Sequence, residues 1–271
     1  MDAKRNIKIM GIVNLTDDSY FAESRCVSVE AALDRVAQMI REGVDIVDIG
    51  ACSTRPGSSP VGEAEEWKRL EPVLLAIRDR FSDLTISVDT YWSSIVKNAY
   101  NLIGDFIVND ISAGEDDPEM LATVGDLGLT YVAMHKRGTP VEMQSLTDYN
   151  DVVAEVMEYF REFSEKAASA GITNWILDPG FGFSKTMEQN WELLRNLHSF
   201  KDIRDADGNT PPLLVGVSRK SMIYKLLNIT PEESLPATQV AHLAALMAGA
   251  DILRVHDVAA AVQTVRLYTN L

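Results

Sequence analysis

The sequence predicts an α/β chain folded as one (β/α)8 TIM barrel spanning residues 1–271. Three observations point there. Eight short β-branched runs recur along the 271 residues, each ending in polar or Gly-containing positions. Stretches of helical period lie between them. The runs are near-continuously apolar, as parallel strands covered on both faces are. A doubly wound open sheet meets the same pattern and stands as the rival architecture.

The strands are expected to begin near Ile7, Val44, Leu84, Phe106, Leu129, Asn174, Leu213 and Ala250. After the first, Val29, Leu33, Val36 and Ile40 mark one face of a helix that Gly43 should end. The second is followed by a helical stretch over 63–81, where Pro72 should kink the helix or begin a new one. Val152, Val156, Phe160 and Phe163 mark a helix ended by Gly171. An apolar helix over 240–247 precedes or flanks the last strand and is a candidate for either barrel packing or a subunit contact. Segments 16–26, 52–62 and 136–147 read as the long strand-to-helix loops. Pro and Gly are scattered, with no linker or low-complexity tract.

Composition bounds the function. Lys+Arg 25 against Asp+Glu 40 gives a net charge of −15 and a pI near 4.7, so a sequence-independent grip on nucleic acid or anionic membrane is not expected. Cys26 and Cys52 can form neither a disulfide framework nor a zinc set. Residues 1–10 lack the apolar run of a secretion signal and no segment is apolar over a membrane span, so a cytoplasmic location is expected.

Chemistry in such a barrel sits where the strands end. Those ends carry Asn14, Asp48, Asp89, Asn109 with Asp110, Met134 with His135, Asp178, then Ser218-Arg219-Lys220 and Arg254-Val255-His256-Asp257. Singly, each has a plain reading. A lone Asp before a helix ordinarily caps it, His135 suits a hydrogen-bonded core position, Lys220 a solvated helix start, and Arg254 a surface ion pair. The set is what argues: Asp89, Asn109, Asp178 and Lys220 converge if the barrel is right. After strands seven and eight, Arg219, Lys220, Arg254 and His256 form a local cationic group suited to a phosphate-type anion. No HExxH, CxxC, P-loop or nucleophile-elbow pattern occurs, and the four histidines lack zinc spacing. A loosely held Mg²⁺ would leave little trace, because it keeps waters and shares phosphate oxygens. Residue type alone leaves a Schiff-base role for Lys220 open.

Several strings together resemble one family. They are Met10-Gly11-Ile12-Val13-Asn14-Leu15-Thr16, Asp48-Ile49-Gly50 running into Ser53-Thr54-Arg55-Pro56-Gly57, Ile86-Ser87-Val88-Asp89 and Val108-Asn109-Asp110-Ile111. Asp178-Pro179-Gly180-Phe181-Gly182-Phe183, Ser218-Arg219-Lys220-Ser221 and Arg254-Val255-His256-Asp257 complete the set. In this order they resemble the dihydropteroate synthases, within the broader pterin-binding barrels that include methyltetrahydrofolate methyltransferases. The resemblance implies a barrel that joins (7,8-dihydropterin-6-yl)methyl diphosphate to 4-aminobenzoate, giving 7,8-dihydropteroate and diphosphate in folate biosynthesis.

It also implies roles. Asp89, Asn109, Asp178 and Lys220 would bond the pterin, with Ile111 and Met134 lining its slot. Arg254 would stack on the pterin and, with Asn14 and His256, hold the diphosphate; Asn14 would also face Mg²⁺. Thr54, Arg55, Pro56, Phe183, Ser218 and Lys220 would frame 4-aminobenzoate. Asp89, Lys220, Arg254 and His256 would act in catalysis, and the family implies a homodimer and a sulfonamide target. Asp17 stands where the family has Pro, which should loosen the first loop. Ala22 replaces a common Asp, leaving Asp18 as the first-loop acid nearest the metal. Ala51-Cys52 replaces Gly-Glu. A pterin-dependent methyltransferase and a non-catalytic pterin-binding protein are the other functions open. Loops 53–57 and 14–26 are expected to order when ligand binds, so that 4-aminobenzoate binds poorly before diphosphate and Mg²⁺.

Overall fold

β1 (Lys8–Asn14) belongs to an eight-stranded parallel sheet, paired on one side with β2 (Ile46–Gly50) and on the other with β8 (Ile252–Val255). The computed structural model describes residues 6–15, 28–52, 62–139 and 142–271. From β2 the ladder runs through β3 (Thr85–Asp89), β4 (Ile107–Asp110), β5 (Thr130–Met134) and β6 (Trp175–Asp178). β7 (Leu214–Val215) pairs with β8. The remaining seam, β6 to β7, is joined by a parallel bridge between Leu177 and Leu213 and by the Leu177 N–H donating to the Pro212 carbonyl at 2.9 Å. Sequential order with closure of that seam is a TIM barrel. A doubly wound sheet would reverse its order and leave two separate edges.

The helices follow their strands: α1 (Val29–Glu42), α2 (Glu63–Arg80), α3 (Ser93–Ile103), α4 (Met120–Leu127), α5 (Val152–Ser169) and α6 (Met187–Arg195). Two helices, α7 (Ser221–Leu227) and α8 (Leu235–Met247), separate β7 from β8, and α9 (Val258–Tyr268) follows β8. Local chemistry sets their ends. The Ser28 hydroxyl accepts the Ala31 N–H, satisfying an otherwise orphan donor of α1. Gly43, at φ 97°, closes that helix in the left-handed conformation that costs glycine no Cβ clash. Gly171, also left-handed, follows the end of α5.

Two expectations change. α2 runs through Pro72 as one helix; the buried Leu70, Val73, Leu74 and Ile77 hold both halves against the strands, and that burial outweighs one lost backbone bond. β7 is shorter than its apolar run, because the Lys220 N–H closes a turn on the Val217 carbonyl at 3.2 Å and takes the chain out of the ladder.

The core has two layers. One fills the space between strands and helices. The other is inside the barrel: Met10, Ile46, Val132, Ile176, Leu214 and Ile252, with Ile107 against them. Side chains alternate along a strand, so the residues two further on also point inward. Those are Ile12, Asp48, Asn109, Met134, Asp178, Gly216 and Arg254. The apolar plug therefore gives way, one layer up, to a polar floor at the strands' C-terminal ends.

Candidate active site

Asp48 is the hub of that floor and is fully buried. Its Oδ1 accepts the Ser87 hydroxyl at 2.6 Å, and its Oδ2 accepts the Asn109 side-chain N–H at 3.1 Å. Arg254 reaches across from β8, with Nε at 2.7 Å and Nη2 at 2.6 Å from the same Oδ2. The Arg254 Nη2 also donates to Asp89 Oδ2 at 2.8 Å. One guanidinium thus serves two carboxylates. Burial pushes the Asp89 carboxyl up to about 7; Arg254 opposes this, while the negative neighbours Asp48, Glu66 and Asp110 add to it. Arg254 is held firmly cationic by its two acids.

A second group stands across the mouth. Asp178, at the end of β6, is buried, and its Oδ1 accepts the Gly180 N–H at 2.8 Å. Burial raises its pKa, against the lowering effect of Lys220, that N–H, Arg254 and Lys185. Lys220 extends from the start of α7, donates to the Phe181 carbonyl and lies 4.7 Å from the centre of the Phe183 ring. Burial lowers the Lys220 pKa to about 8 although Asp178 favours its charge. His256 Nδ1 is 3.0 Å from the Ser218 hydroxyl, which also accepts the His256 N–H at 3.2 Å. Burial first, and then the cation Arg254, press the His256 pKa down to about 3. Its imidazole is neutral at pH 7.

The structure therefore brings Asp89, Asn109 and Arg254 into one network, and Asp178, Lys220 and Phe183 around one loop, with Ser218 joined to His256. Asn14 ends β1, Met134 ends β5 on the inward face, and Ile111 is buried just beyond β4. Thr54, Arg55 and Pro56 lie outside the described residues, as do Asp17, Asp18, Ala22 and Cys26. Cys52 is half-buried.

The cationic group after β7 and β8 needs correcting. Arg219 does not face the site. It pairs with Asp257 through Nε (2.8 Å) and Nη2 (2.9 Å), and its Nη1 donates to the Pro231 and Glu232 carbonyls at 2.7 Å each. It is a buried clamp between the β8 end and the turn before α8, not surface decoration. With His256 neutral, the positive charge there comes from Lys220 and Arg254. Asp257 likewise spends its carboxylate on Arg219 rather than capping α9. His135 is the core histidine its plain reading describes, 2.9 Å from Lys185 Nζ.

Sequence reasoning gave no role to Ser87 or Glu66 and none to Asp48 beyond its place at a strand end. Asp48 had a signal, since it stands two residues after the inward-facing Ile46. Glu66 had none. It is fully buried on α2, and neither oxygen has a hydrogen-bond donor among the described residues. Burial raises its pKa to about 7; the nearby Thr90 hydroxyl offsets part of this without reaching hydrogen-bond geometry, and Glu63 adds to it.

A carboxyl raised from about 4.5 folds more easily protonated than ionised. Its stabilising proton is fully in place below pH 4.5 and lost as pH rises through 7. Glu66→Gln should therefore gain stability relative to the parent between these values, reaching on the order of 3 kcal/mol above them. Urea melts at pH 4.5, 6 and 8 would show it; a difference independent of pH would mean that Glu66 ionises freely.

Against known proteins, residues 10–256 match the model of a family described as pterin binding enzyme. Dihydropteroate synthase of Escherichia coli (strain K12) is 40% identical over 261 residues, covering 96% of this chain and 89% of its own. That of Neisseria meningitidis serogroup C is 41% identical over 271 residues, covering 97% and 92%. A Yersinia pestis dihydropteroate synthase structure with a sulfonamide drug complex superposes with a TM-score of 0.90 at 34% identity, covering 100% of this chain and 95% of that one. A Xanthomonas albilineans dihydropteroate synthase with 4-aminobenzoic acid gives 0.87 at 36% identity, covering 98% and 93%. The chain belongs to the dihydropteroate synthase family of pterin binding enzymes.

Proposed function

We propose that this protein condenses (7,8-dihydropterin-6-yl)methyl diphosphate with 4-aminobenzoate, releasing 7,8-dihydropteroate and diphosphate. The observation that carries the reading is the pairing of a buried carboxylate, Asp178, with the Lys220–Phe183 platform on one loop, opposite the Asp48–Arg254–Asp89 network. Relatives bear on it too, since a Burkholderia cenocepacia dihydropteroate synthase is complexed with 7,8-dihydropteroate.

The flat 2-amino and ring N–H edge of a pterin offers two parallel donors, which Asp178 accepts as it would a guanidinium. Asn109 and Lys220 complete the polar edge, and Met134 and Ile111 the apolar faces. The bond from the pterin methylene to the diphosphate oxygen breaks, and its electron pair leaves with the diphosphate. Asp89, whose carboxylate is shared with Arg254, stabilises the cationic methylene. The arylamine nitrogen then bonds to that carbon and sheds one proton. No protein nucleophile is required. 4-Aminobenzoate lies against Phe183, Ser218 and Lys220, with Thr54, Arg55 and Pro56 from the second loop.

Diphosphate is assigned to Asn14, His256 and Arg254. Burial holds the His256 pKa down first and Arg254 second, and a bound diphosphate would oppose the second of these. The described residues hold no cluster of three His, Cys, Asp or Glu side chains that could ligate a metal. Asp18 of the first loop lies outside the described residues; within them the Asn14 amide oxygen would hold Mg²⁺, with water and diphosphate oxygens completing its shell. When bound, it would neutralise charge on the leaving diphosphate.

The test incubates protein, pterin diphosphate, Mg²⁺ and 4-aminobenzoate and follows dihydropteroate and diphosphate together. Absence of both products across pH and metal conditions would refute the reading. Diphosphate release without dihydropteroate would point to a pterin-binding protein that has lost transfer.

A homodimer is the expected assembly. α8 buries Ala241, His242, Ala245 and Leu246 but leaves Val240 and Met247 exposed, as α9 does Leu267. Val240 and Met247 are seven residues apart, hence on one face. A Val240→Glu, Met247→Glu double variant should halve the mass seen by light scattering, whereas an unchanged dimer would move the interface elsewhere. Among the described residues no helix is long and apolar enough to cross a membrane.

A further inference from the structure

We infer that Lys185, which no substrate needs to touch, is a positioning residue that sets where Asp178 and Phe183 stand. The inference rests on the proposed function for what those two residues hold.

The loop from Asp178 to Lys185 is irregular and turns sharply. Gly180 (φ 72°), Gly182 (φ 83°) and Ser184 (φ 53°) are all left-handed. A Cβ on Gly180 would sit 2.0 Å from the His135 carbonyl oxygen, so the loop is pressed on the end of β5. Such a path has no ladder to satisfy its carbonyls, and something else must.

Lys185 does this from beneath. Its side chain is buried, at 3% exposure for the residue, and no carboxylate pairs with it among the described residues. Nζ instead donates to the Gly180 carbonyl at 3.1 Å and the Phe183 carbonyl at 2.9 Å, and lies 2.9 Å from His135 Nδ1. A longer contact, 3.4 Å, reaches the His135 carbonyl. Burying an amine without an ion pair is costly unless every donor is used. Here the acceptors are the two ends of the loop and the strand beside it. Gly180 is the residue whose N–H fixes Asp178 Oδ1, and Phe183 carries the ring beside Lys220.

The Phe183 N–H also donates to the Gly180 carbonyl at 3.1 Å, which closes the loop on itself, but among the described residues it is Lys185 that ties the Gly180 and Phe183 carbonyls to the strand beside them. The Ser184 hydroxyl bridges the Arg137 N–H and carbonyl, both at 2.8 Å, which ties down the far end. Asn190 Oδ1 accepts the Gly182 N–H at 2.7 Å. Neither reaches Gly180 or the Phe183 carbonyl. The imidazole of His135 is itself fixed, edge-on to Tyr159 with ring centres 4.9 Å apart, so Nζ is anchored at a set point.

The experiment compares the parent with Lys185→Met and Lys185→Gln, well below each melting temperature. Calorimetry measures 6-hydroxymethylpterin and, separately, diphosphate with Mg²⁺; steady-state kinetics give KM for 4-aminobenzoate. Lys185→Met is expected to raise the pterin Kd and the 4-aminobenzoate KM about tenfold, a displacement effect, with diphosphate within about twofold. Lys185→Gln, which keeps two donors on a shorter arm, should raise the first two about threefold. A merely structural lysine would lower the melting temperature and leave these constants alone, or weaken all three ligands alike; either result overturns the inference. If Lys185→Met does not fold, unchanged constants in Lys185→Gln overturn it. Failure of the parent to bind the pterin would instead bring down the proposed function, and this inference with it.

Discussion

Arg254→Met should lower stability by about 3–5 kcal/mol at pH 8, because it strips from two acids at the barrel's centre the only cationic partner they have among the described residues. Asp48 has no exposure at all, and Asp89 little. Without the guanidinium, their charges face one another in a low-dielectric interior. The loss should shrink as pH falls. Asp89 already sits at about 7 with Arg254 in place, and removing the cation can only raise it. A raised carboxyl penalises the folded state most above its folded pKa and least below its unfolded one, so the penalty fades from pH 8 towards pH 4. Turnover should fall by at least about a hundredfold, since the same change removes a group assigned to the departing diphosphate and unsettles Asp89. Urea unfolding at pH 5 and pH 8 decides the matter. An equal loss at both would mean that packing of the arginine's aliphatic stem, and not charge, is what the barrel misses.

The second large effect belongs to Asp178→Asn. Its direction comes from a single hydrogen bond. Oδ1 is taken by the Gly180 N–H at 2.8 Å, so an asparagine must keep its carbonyl oxygen there. The amide NH₂ then replaces Oδ2 and faces the pterin's donor edge, donor against donor. An unmet buried polar group costs about 1–3 kcal/mol, hence roughly a 5- to 150-fold weaker pterin. Stability should hold or rise slightly, because burial disfavours the charge that the substitution removes. Calorimetry with 6-hydroxymethylpterin and a thermal melt on the same sample give both numbers. Parent-like affinity with a parent-like melt would place Asp178 outside the pterin slot. A collapsed melt would make it a loop residue first.

Much of the barrel is legible in the chain because four of its strands repeat one local instruction. An apolar β-branched residue inside the barrel is followed, two positions on, by a polar one: Ile46 and Asp48, Ile107 and Asn109, Ile176 and Asp178, Ile252 and Arg254. The period of two is fixed by the pleat, so a strand's last inward residue can be named without knowing its neighbours. That is why Asn109, Asp178 and Arg254 read as a convergent set, and Asp89 joins them by its place at the end of β3. The end of α1 at Gly43 is readable for the same kind of reason, since a helix terminus is settled over three or four residues.

What the tertiary structure alone decided concerns pairs far apart in the chain. Arg254 meets Asp48 across 206 positions and Asp89 across 165, and no local pattern says that one cation will serve both. Arg219 and Lys220 are neighbours in sequence, yet one is turned back onto Asp257 while the other reaches the Phe181 carbonyl. His256 sits at a strand end like its neighbours, but its neutrality follows from burial beside Arg254. Lys185 precedes α6 and Glu66 lies in the first turn of α2, positions with no local signal, and only packing shows that both are buried with no ion-pair partner among the described residues. Direction along a strand is local physics. Burial and partnership of charge depend on what the closed barrel brings within a few ångströms, and closure is a property of all eight strands together.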